Sequence, residues 1–262
     1  VVTAQQVYNE FSSGTPDVTA YRRLMKMLYD KATTAEEAPR YLLLFGDAWY
    51  DNRLITFQGR NQEDYLLCYE SLNSVDAIKS YVLEDYMGYL DDNEGGDHLR
   101  DKVDIGVGRI PAQTVADANA VVDKLIAYMQ NRNAGAWQNL VVLLGDDGDP
   151  KMPNQHMKDA DVIAAVMEQN FPSYMVERIY WDDYPVEASS TGNRYPVVTE
   201  AIYDRLEKGA LVVNYSGHGS TNLLSHEMVW KASDMAAVNS PRIPFWVTAS
   251  CDIGPFDMLD NS

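Results

Sequence analysis

Short apolar runs alternate with longer amphipathic stretches along the whole chain. Near the start, Thr15-Pro16-Asp17 supplies an N-cap, a proline for a first turn and an acid beside the positive end of a helix dipole. Tyr21, Leu24, Met25 and Leu28 then share one face, which predicts a helix over 18–29. Residues 41–45 are short, almost wholly apolar and followed by Gly46-Asp47, the pattern of a strand buried on both faces. Residues 64–68 form a weaker strand candidate. The stretch 91–101 is polar and contains glycine, so it reads as a loop. A strand over 103–108 is closed by Arg109-Ile110-Pro111. A long helix follows over 114–131, with Val115, Ala118, Val122, Leu125 and Met129 at helical spacing.

Asn131-Arg132-Asn133-Ala134-Gly135 has no large apolar residue and is the expected internal boundary. Beyond it the alternation becomes regular. Strands are expected over 140–144, 175–180, 210–215 and 243–250, with helices over 155–170, 195–208 and 230–239. Residues 182–193, rich in acid, Ser and Gly, read as a loop. Strands alternating with helices imply parallel pairing through right-handed crossovers. The expected fold class is α/β, with two tandem α/β subdomains over 1–135 and 136–262.

Composition narrows the function. The chain has 262 residues, 46% hydrophobic and 23% charged, which is a globular balance. With 21 Lys+Arg against 39 Asp+Glu, its formal charge is −18. That surplus argues against nucleic acid and against an anionic membrane surface, since both need a positive face. It suits a cation-binding or secreted surface protein. No apolar run approaches the roughly 18 residues a membrane helix needs. Two cysteines cannot build a disulfide framework. The opening Val1-Val2-Thr3 has no targeting character, so the chain is read as a piece of a longer protein, with any signal or anchor outside it.

Candidate chemistry follows from the fold class. In an open parallel sheet, ligands bind beyond the carboxyl ends of the strands. In the second subdomain those ends carry Asp146-Asp147, His218 and Cys251. His218 lies between Gly217 and Gly219, where backbone can bend sharply and approach a substrate. Cys251 follows Thr248-Ala249-Ser250, small residues that leave a thiol accessible. A lone cysteine after an apolar strand is usually a buried small residue, and Gly-His-Gly is usually a turn. Their joint placement raises a different pairing: a thiolate nucleophile, a histidine that protonates the leaving amine, and Asp146 or Asp147 to orient the imidazole. Two other chemistries fit poorly. Ser216-Gly217-His218-Gly219-Ser220-Thr221 follows a strand but lacks phosphate-loop spacing. The four histidines, 98, 156, 218 and 226, form no metal-ligand motif. Cys68 is expected to be a buried free thiol rather than a partner for Cys251.

Leu211-Val212-Val213-Asn214-Tyr215-Ser216-Gly217-His218-Gly219-Ser220 and Pro244-Phe245-Trp246-Val247-Thr248-Ala249-Ser250-Cys251 resemble the His and Cys motifs of the gingipain-like cysteine peptidases, whose clan includes caspases and legumain. The resemblance extends through Tyr41–Asp47 and Asp104–Arg109, and so covers most of the chain. Within the family, Val7–Asp17 and Asp47–Arg53 resemble the PorU-type C-terminal signal peptidases of the type IX secretion system.

This resemblance implies a caspase-like catalytic subdomain after a non-catalytic one. It implies a cysteine endopeptidase or sortase-like transpeptidase that removes C-terminal sorting domains from exported proteins at the cell surface, on the outer membrane. Its partners would be those polypeptide substrates and other secretion-system surface proteins. The alternatives are a secreted gingipain-type protease and an inactive secretion scaffold. His218 would be base and acid, Cys251 the nucleophile, and the Gly219 and Cys251 amides the oxyanion hole. Asp147 best matches the family's third residue, as Asp where Arg-gingipains carry Glu. His156 falls at or near the position where Arg-gingipains place a pocket-floor Asp, so no strong preference for Arg or Lys is expected, and small or polar residues should be favoured instead. Asp159 and Asp161 lie nearby as alternatives for that pocket. No cofactor is implied for catalysis. Structural calcium is implied at Asp47 and Asp104, with Asp97 and Asp101 near. The family continues well past the Cys, whereas this chain stops at Ser262.

Overall fold

A computed structural model describes residues 1–55, 65–71, 81–96, 100–148, 152–190 and 192–258. The chain forms two compact units, Val1–Ala120 with Pro255–Ser262, and Val121–Gly254.

In the first unit, helices α1 (Ala4–Phe11) and α2 (Thr19–Lys31) accompany a parallel pair, β1 (Tyr41–Phe45) and β2 (Gly106–Ile110). Helix α1 is not among the expected elements, yet its start is written in the sequence. Thr3 accepts the N–H of Gln6 on its hydroxyl, and the Gln6 side chain accepts the N–H of Thr3, a reciprocal cap. Val7, Tyr8, Ala20, Tyr21, Leu44, Leu67 and Met87 close this unit's core.

The strand expected over 64–68 does not form across 65–68; Asp64 lies outside the described residues. Its carbonyls are taken by a side chain instead of a ladder. The Arg109 guanidinium, almost wholly buried, donates to the carbonyls of Leu67 (2.9 Å) and Leu66 (3.3 Å), to Gly46 O (2.9 Å) and to Glu84 Oε1 (3.0 Å). A rigid fork of five donors can satisfy irregular backbone in this way while pairing its own charge. Strand β2 also starts later than the expected 103, because its pairing with β1 begins at Tyr41 opposite Gly106. Arg109 therefore sits within a strand rather than after it.

Helix α3 (Val115–Met129) spans the junction of the two units. It forms as its periodicity predicts, but none of its residues is buried. Its apolar positions, among them Val115 and Met129, stay exposed.

The second unit is a four-stranded parallel sheet of β3 (Leu140–Gly145), β4 (Met175–Tyr180), β7 (Val212–Ser216) and β11 (Phe245–Ala249), in the order β11-β7-β3-β4. Strand β3 is buried at all six positions, as its unbroken apolar run requires. One face carries α4 (Gln155–Asn170), whose Met157, Ala160 and Ala164 pack on Val141 and Leu143. The other carries α5 (Pro196–Lys208), whose Val198, Ile202 and Leu206 pack on Val142, Leu144 and Val213. Proline at the first turn of α5 and Gly209 just past its end, at φ +89°, mark it as the sequence suggests.

Three small elements depart from expectation. The segment expected as a loop over 182–193 contains an antiparallel hairpin, β5 (Glu187–Ser189) and β6 (Gly192–Arg194). After β7 the chain forms a three-stranded antiparallel sheet of β8 (Gly219–Ser220), β9 (Leu223–Leu224) and β10 (Trp230–Lys231). Helix α6 is short, Ala232–Met235, because β10 occupies the start of the expected 230–239 span. Two-residue strands leave no periodicity to read. Among the described residues, no helix is long and apolar enough to cross a membrane.

Candidate active site

The parallel register aligns three strand ends. Gly145 of β3 lies opposite Ser216 of β7, which lies opposite Ala249 of β11. The ladder continues one step, with Asp146 N–H donating to Ser216 O (3.0 Å) and Gly217 N–H to Ala249 O (3.3 Å). Asp147, His218 and Cys251 each stand two residues past these aligned positions. Neighbouring strands are about 4.8 Å apart, so three separated parts of the sequence emerge side by side.

Backbone contacts hold the His218 turn on both sides. Its N–H donates to Asp146 Oδ2 (2.8 Å), while its C=O accepts from Ser225 N–H (2.8 Å) and from the Tyr215 hydroxyl. Tyr215 also donates to Asp146 Oδ2 (3.3 Å). The flanking glycines are there because nothing larger fits. A methyl group on Gly217 would lie 2.3 Å from the Tyr215 hydroxyl and 2.5 Å from Asp146 Cβ. One on Gly219 would lie 2.5 Å from Ser250 Oγ and 3.0 Å from Cys251 O. The His218 turn and the Cys251 segment are therefore in direct contact through Gly219. Cys251 is a free, exposed thiol, followed by Asp252 at φ +50° in a tight reversal. Cys68 is a free thiol too, but buried, and burial pushes its pKa up.

The two acids have different roles. Asp146 is completely buried and braces the backbone of His218. Asp147 accepts a hydrogen bond from the Tyr195 hydroxyl (3.1 Å). Neither carboxylate bonds the imidazole, whose buried Nε2 has no hydrogen-bond partner among the described residues. Glu227 converges on the same place, with carboxylate oxygens of Asp146, Asp147 and Glu227 within 4.8 Å of one another.

The imidazole instead lies among other imidazoles. The His156 ring meets it edge-on at 5.0 Å, and the His226 ring stacks on it at 4.6 Å. His156, in the first turn of α4, thus sits beside His218. Asp159 is exposed and accepts from Gln155 (2.7 Å); Asp161 accepts from Arg178 and Tyr180. His226 and Glu227 were not singled out from the sequence for this site. They arrive by the β8–β10 hairpin, which no periodic pattern announces.

Two donors are free to face a substrate oxygen. The hairpin bond from Ser225 N–H to His218 O leaves the Gly219 N–H outside that ladder. Among the described residues, Cys251 N–H donates to no protein acceptor.

The expected calcium ligands do not form one group. Asp104 Oδ2 accepts from Leu90 N–H (2.7 Å) and Asp91 N–H (3.2 Å), and Asp104 groups with Asp91 and Glu94 within 4.8 Å. Asp101 accepts from Gly95 N–H (2.7 Å). Asp47, buried, is not in that group and accepts from Gln113 Nε2 (2.8 Å). Asp97 lies outside the described residues.

Comparison with known proteins places this geometry. The model of peptidase family C25 matches residues 1–262. Among solved structures, the Arg-specific cysteine proteinase gingipain R (RgpB) is 19% identical, with a TM-score of 0.65, over 95% of this chain and 48% of that one. A complex of the pro- and mature domains of Porphyromonas gingivalis RgpB is 18% identical, with a TM-score of 0.63, over 96% and 48%. These likenesses establish the fold, and this chain spans about half the length of those it matches. No curated protein sequence matches it.

The Asp146 carboxyl gives a test of the brace. Burial pushes its pKa up to about 8; the His218 N–H favours its ionised form, while Asp147 and Glu227 oppose it. An unfolded Asp titrates near about 3.9. Between those values the folded chain keeps a proton that the unfolded chain has released, so this group's contribution to stability falls as pH rises from about 4 to 8. Asp146→Asn can still accept the His218 N–H but does not titrate. Urea unfolding at pH 5, 7 and 9 should show the variant gaining at least about 1 kcal/mol on the wild type across that range. A constant difference would mean that Asp146 is ionised throughout.

Proposed function

The chain belongs to peptidase family C25, and from that premise we propose that it is the catalytic region of a cysteine endopeptidase that acts on exported polypeptides at the cell surface. The observation that carries the proposal is the alignment of Gly145, Ser216 and Ala249, which brings Asp147, His218 and Cys251 to one edge of one sheet. The finer reading is a sorting peptidase of the type IX secretion system at the outer membrane. It removes C-terminal sorting domains and works beside other surface proteins of that system. The resemblance of the opening residues supports it.

In the proposed reaction the Cys251 thiolate attacks the scissile carbonyl carbon. Negative charge develops on the carbonyl oxygen, where the N–H groups of Gly219 and Cys251 stabilise it. His218 gives its proton to the leaving amine as the C–N bond breaks, and an S-acyl enzyme remains. Water, or an acceptor amine in transpeptidation, then attacks the thioester. His218 takes a proton from that nucleophile, and the thiolate leaves. Asp146 serves as a positioning residue, acting through the His218 backbone. Asp147 would orient the imidazole only after a rotation that releases Tyr195. Removing the thiol tests this role. Cys251→Ala in the full-length protein should abolish cleavage of client sorting domains, losing at least about a thousandfold in kcat/KM, with the melting temperature unchanged. Normal processing by that variant would exclude Cys251 as nucleophile.

His156, rather than an acid, faces the site from α4. A guanidinium bound beside that ring would meet an imidazole where an acid of α4 would otherwise pair with it. On substrates varied at the residue before the cleaved bond, no preference for Arg or Lys above about tenfold is expected. A hundredfold preference for Arg would require a carboxylate in that pocket.

Calcium, which family resemblance implies, would be held by Asp91, Glu94 and Asp104, hard oxygen donors on a loop already folded by its own N–H groups. Added Ca²⁺ should raise the melting temperature of chelator-treated protein by a few degrees. Asp104→Asn should remove most of that rise. An identical melting curve with and without Ca²⁺ would exclude a structural ion here.

A further inference from the structure

The sheet of the second unit has two faces, and the proposed catalytic residues stand at the edge between them. His156 approaches from the α4 face. On the α5 face, beside the β8–β10 hairpin, lies a cavity of about 270 Å³. Its wall is formed by Leu223, Leu224 and Trp230 of the hairpin, Trp246 of β11, Met235 of α6, and Ile253 just past Cys251. Trp230 and Leu224 belong to the buried core, with Trp246 and Ile253 packed against it, so the cavity floor is apolar.

Three features connect this cavity to the chemistry. Ile253 is two residues after the nucleophile and lines the cavity. Gly219, which carries a proposed oxyanion amide, is so close to the same segment that a methyl group on it would lie 2.9 Å from Ile253 and 3.0 Å from Cys251 O. Ser220, the next residue, and Thr248 also line the cavity. A polypeptide whose scissile carbonyl sits against the Gly219 and Cys251 amides therefore passes the cavity within a residue or two of the cleaved bond.

We propose that this cavity is a substrate subsite that takes a large apolar side chain, such as Leu, Met or Phe, close to the scissile bond. The inference rests on the peptidase reading above and adds a specificity element to it. The lining is mostly apolar and has Lys231 but no carboxylate at its rim, so a cationic side chain would lose its hydration there without a partner. It is distinct from the His156 side of the site, which lies on the opposite face. The preference for small or polar residues expected from the sequence would thus apply only to the His156 side.

The test uses the full-length enzyme and a peptide library varied at the two residues on each side of the cleaved bond. At one of the four positions, Leu, Met or Phe should exceed Gly, Ser and Asp by at least about tenfold in kcat/KM. Ala232→Phe, which adds a ring to the cavity wall, should move that preference toward smaller side chains, chiefly through KM. Cleavage with a flat profile at all four positions would overturn the subsite and leave the peptidase reading standing, because the bond would still have been cleaved. Failure to cleave any client or library member would overturn both.

Discussion

A carboxyl group with no exposed surface holds the candidate site together. Asp146 ends the ladder of β3 and accepts the N–H of His218, two residues past the end of β7. A buried N–H left without an acceptor costs about 1–3 kcal/mol, so the bond fixes where the β7 turn leaves the sheet. Tyr215, also buried, ties the same carboxylate to the His218 carbonyl. With both ends of the turn fixed, Gly217 and Gly219 have no room for a side chain. That same crowding presses the His218 turn onto the Cys251 segment. The proposed base is thus placed through its main chain, and its ring is left among His156 and His226.

The first unit solves a comparable problem with the opposite charge. Around residues 65–68 the chain is irregular, and a buried Arg109 supplies the donors that a neighbouring strand would otherwise provide. Glu84 and the Phe256 ring complete the surroundings of its guanidinium. In both units, then, one buried ionisable side chain organises non-repetitive backbone. The acid in the second unit is driven toward its neutral form by burial, whereas the arginine in the first stays charged and must be paired.

The two faces of the second unit's parallel sheet divide the surroundings of the candidate site. Small residues on α4, Ala160 and Ala164, let that helix lie close to β3, and its first turn brings His156 to His218. Larger residues on α5 and in the β8–β10 hairpin build the thicker apolar layer in which the cavity opens. Residues adjacent along a strand therefore serve different walls: Val212 belongs to the α4 side and Val213 to the α5 side. This is the period-two geometry of a strand carried through to the surroundings of the candidate site.

Much of this was legible in the chain itself. The apolar runs of β1, β3, β4 and β7, the periodicity of α2, α4 and α5, and the parallel sheet they imply are local signals, because burial on two faces or on one helical stripe selects residue types position by position. The placement of His218 and Cys251 at one sheet edge followed from the same logic, since both come two residues after strands of one sheet. What the sequence left open depended on contacts between distant residues. Whether Asp146 or Asp147 meets the His218 turn is a question of one residue of register, and the choice is made by which carboxyl faces inward when β3 is buried. His226 and Glu227 reach the site in the turn between two-residue strands too short to carry a period. Arg109 reads as a strand-ending residue until the carbonyls of a segment some forty residues away are brought to it. Local pattern determined the elements and their order, and tertiary packing decided which of the nearby polar groups touch, because hydrogen bonds are set within tenths of an ångström and periodicity is not.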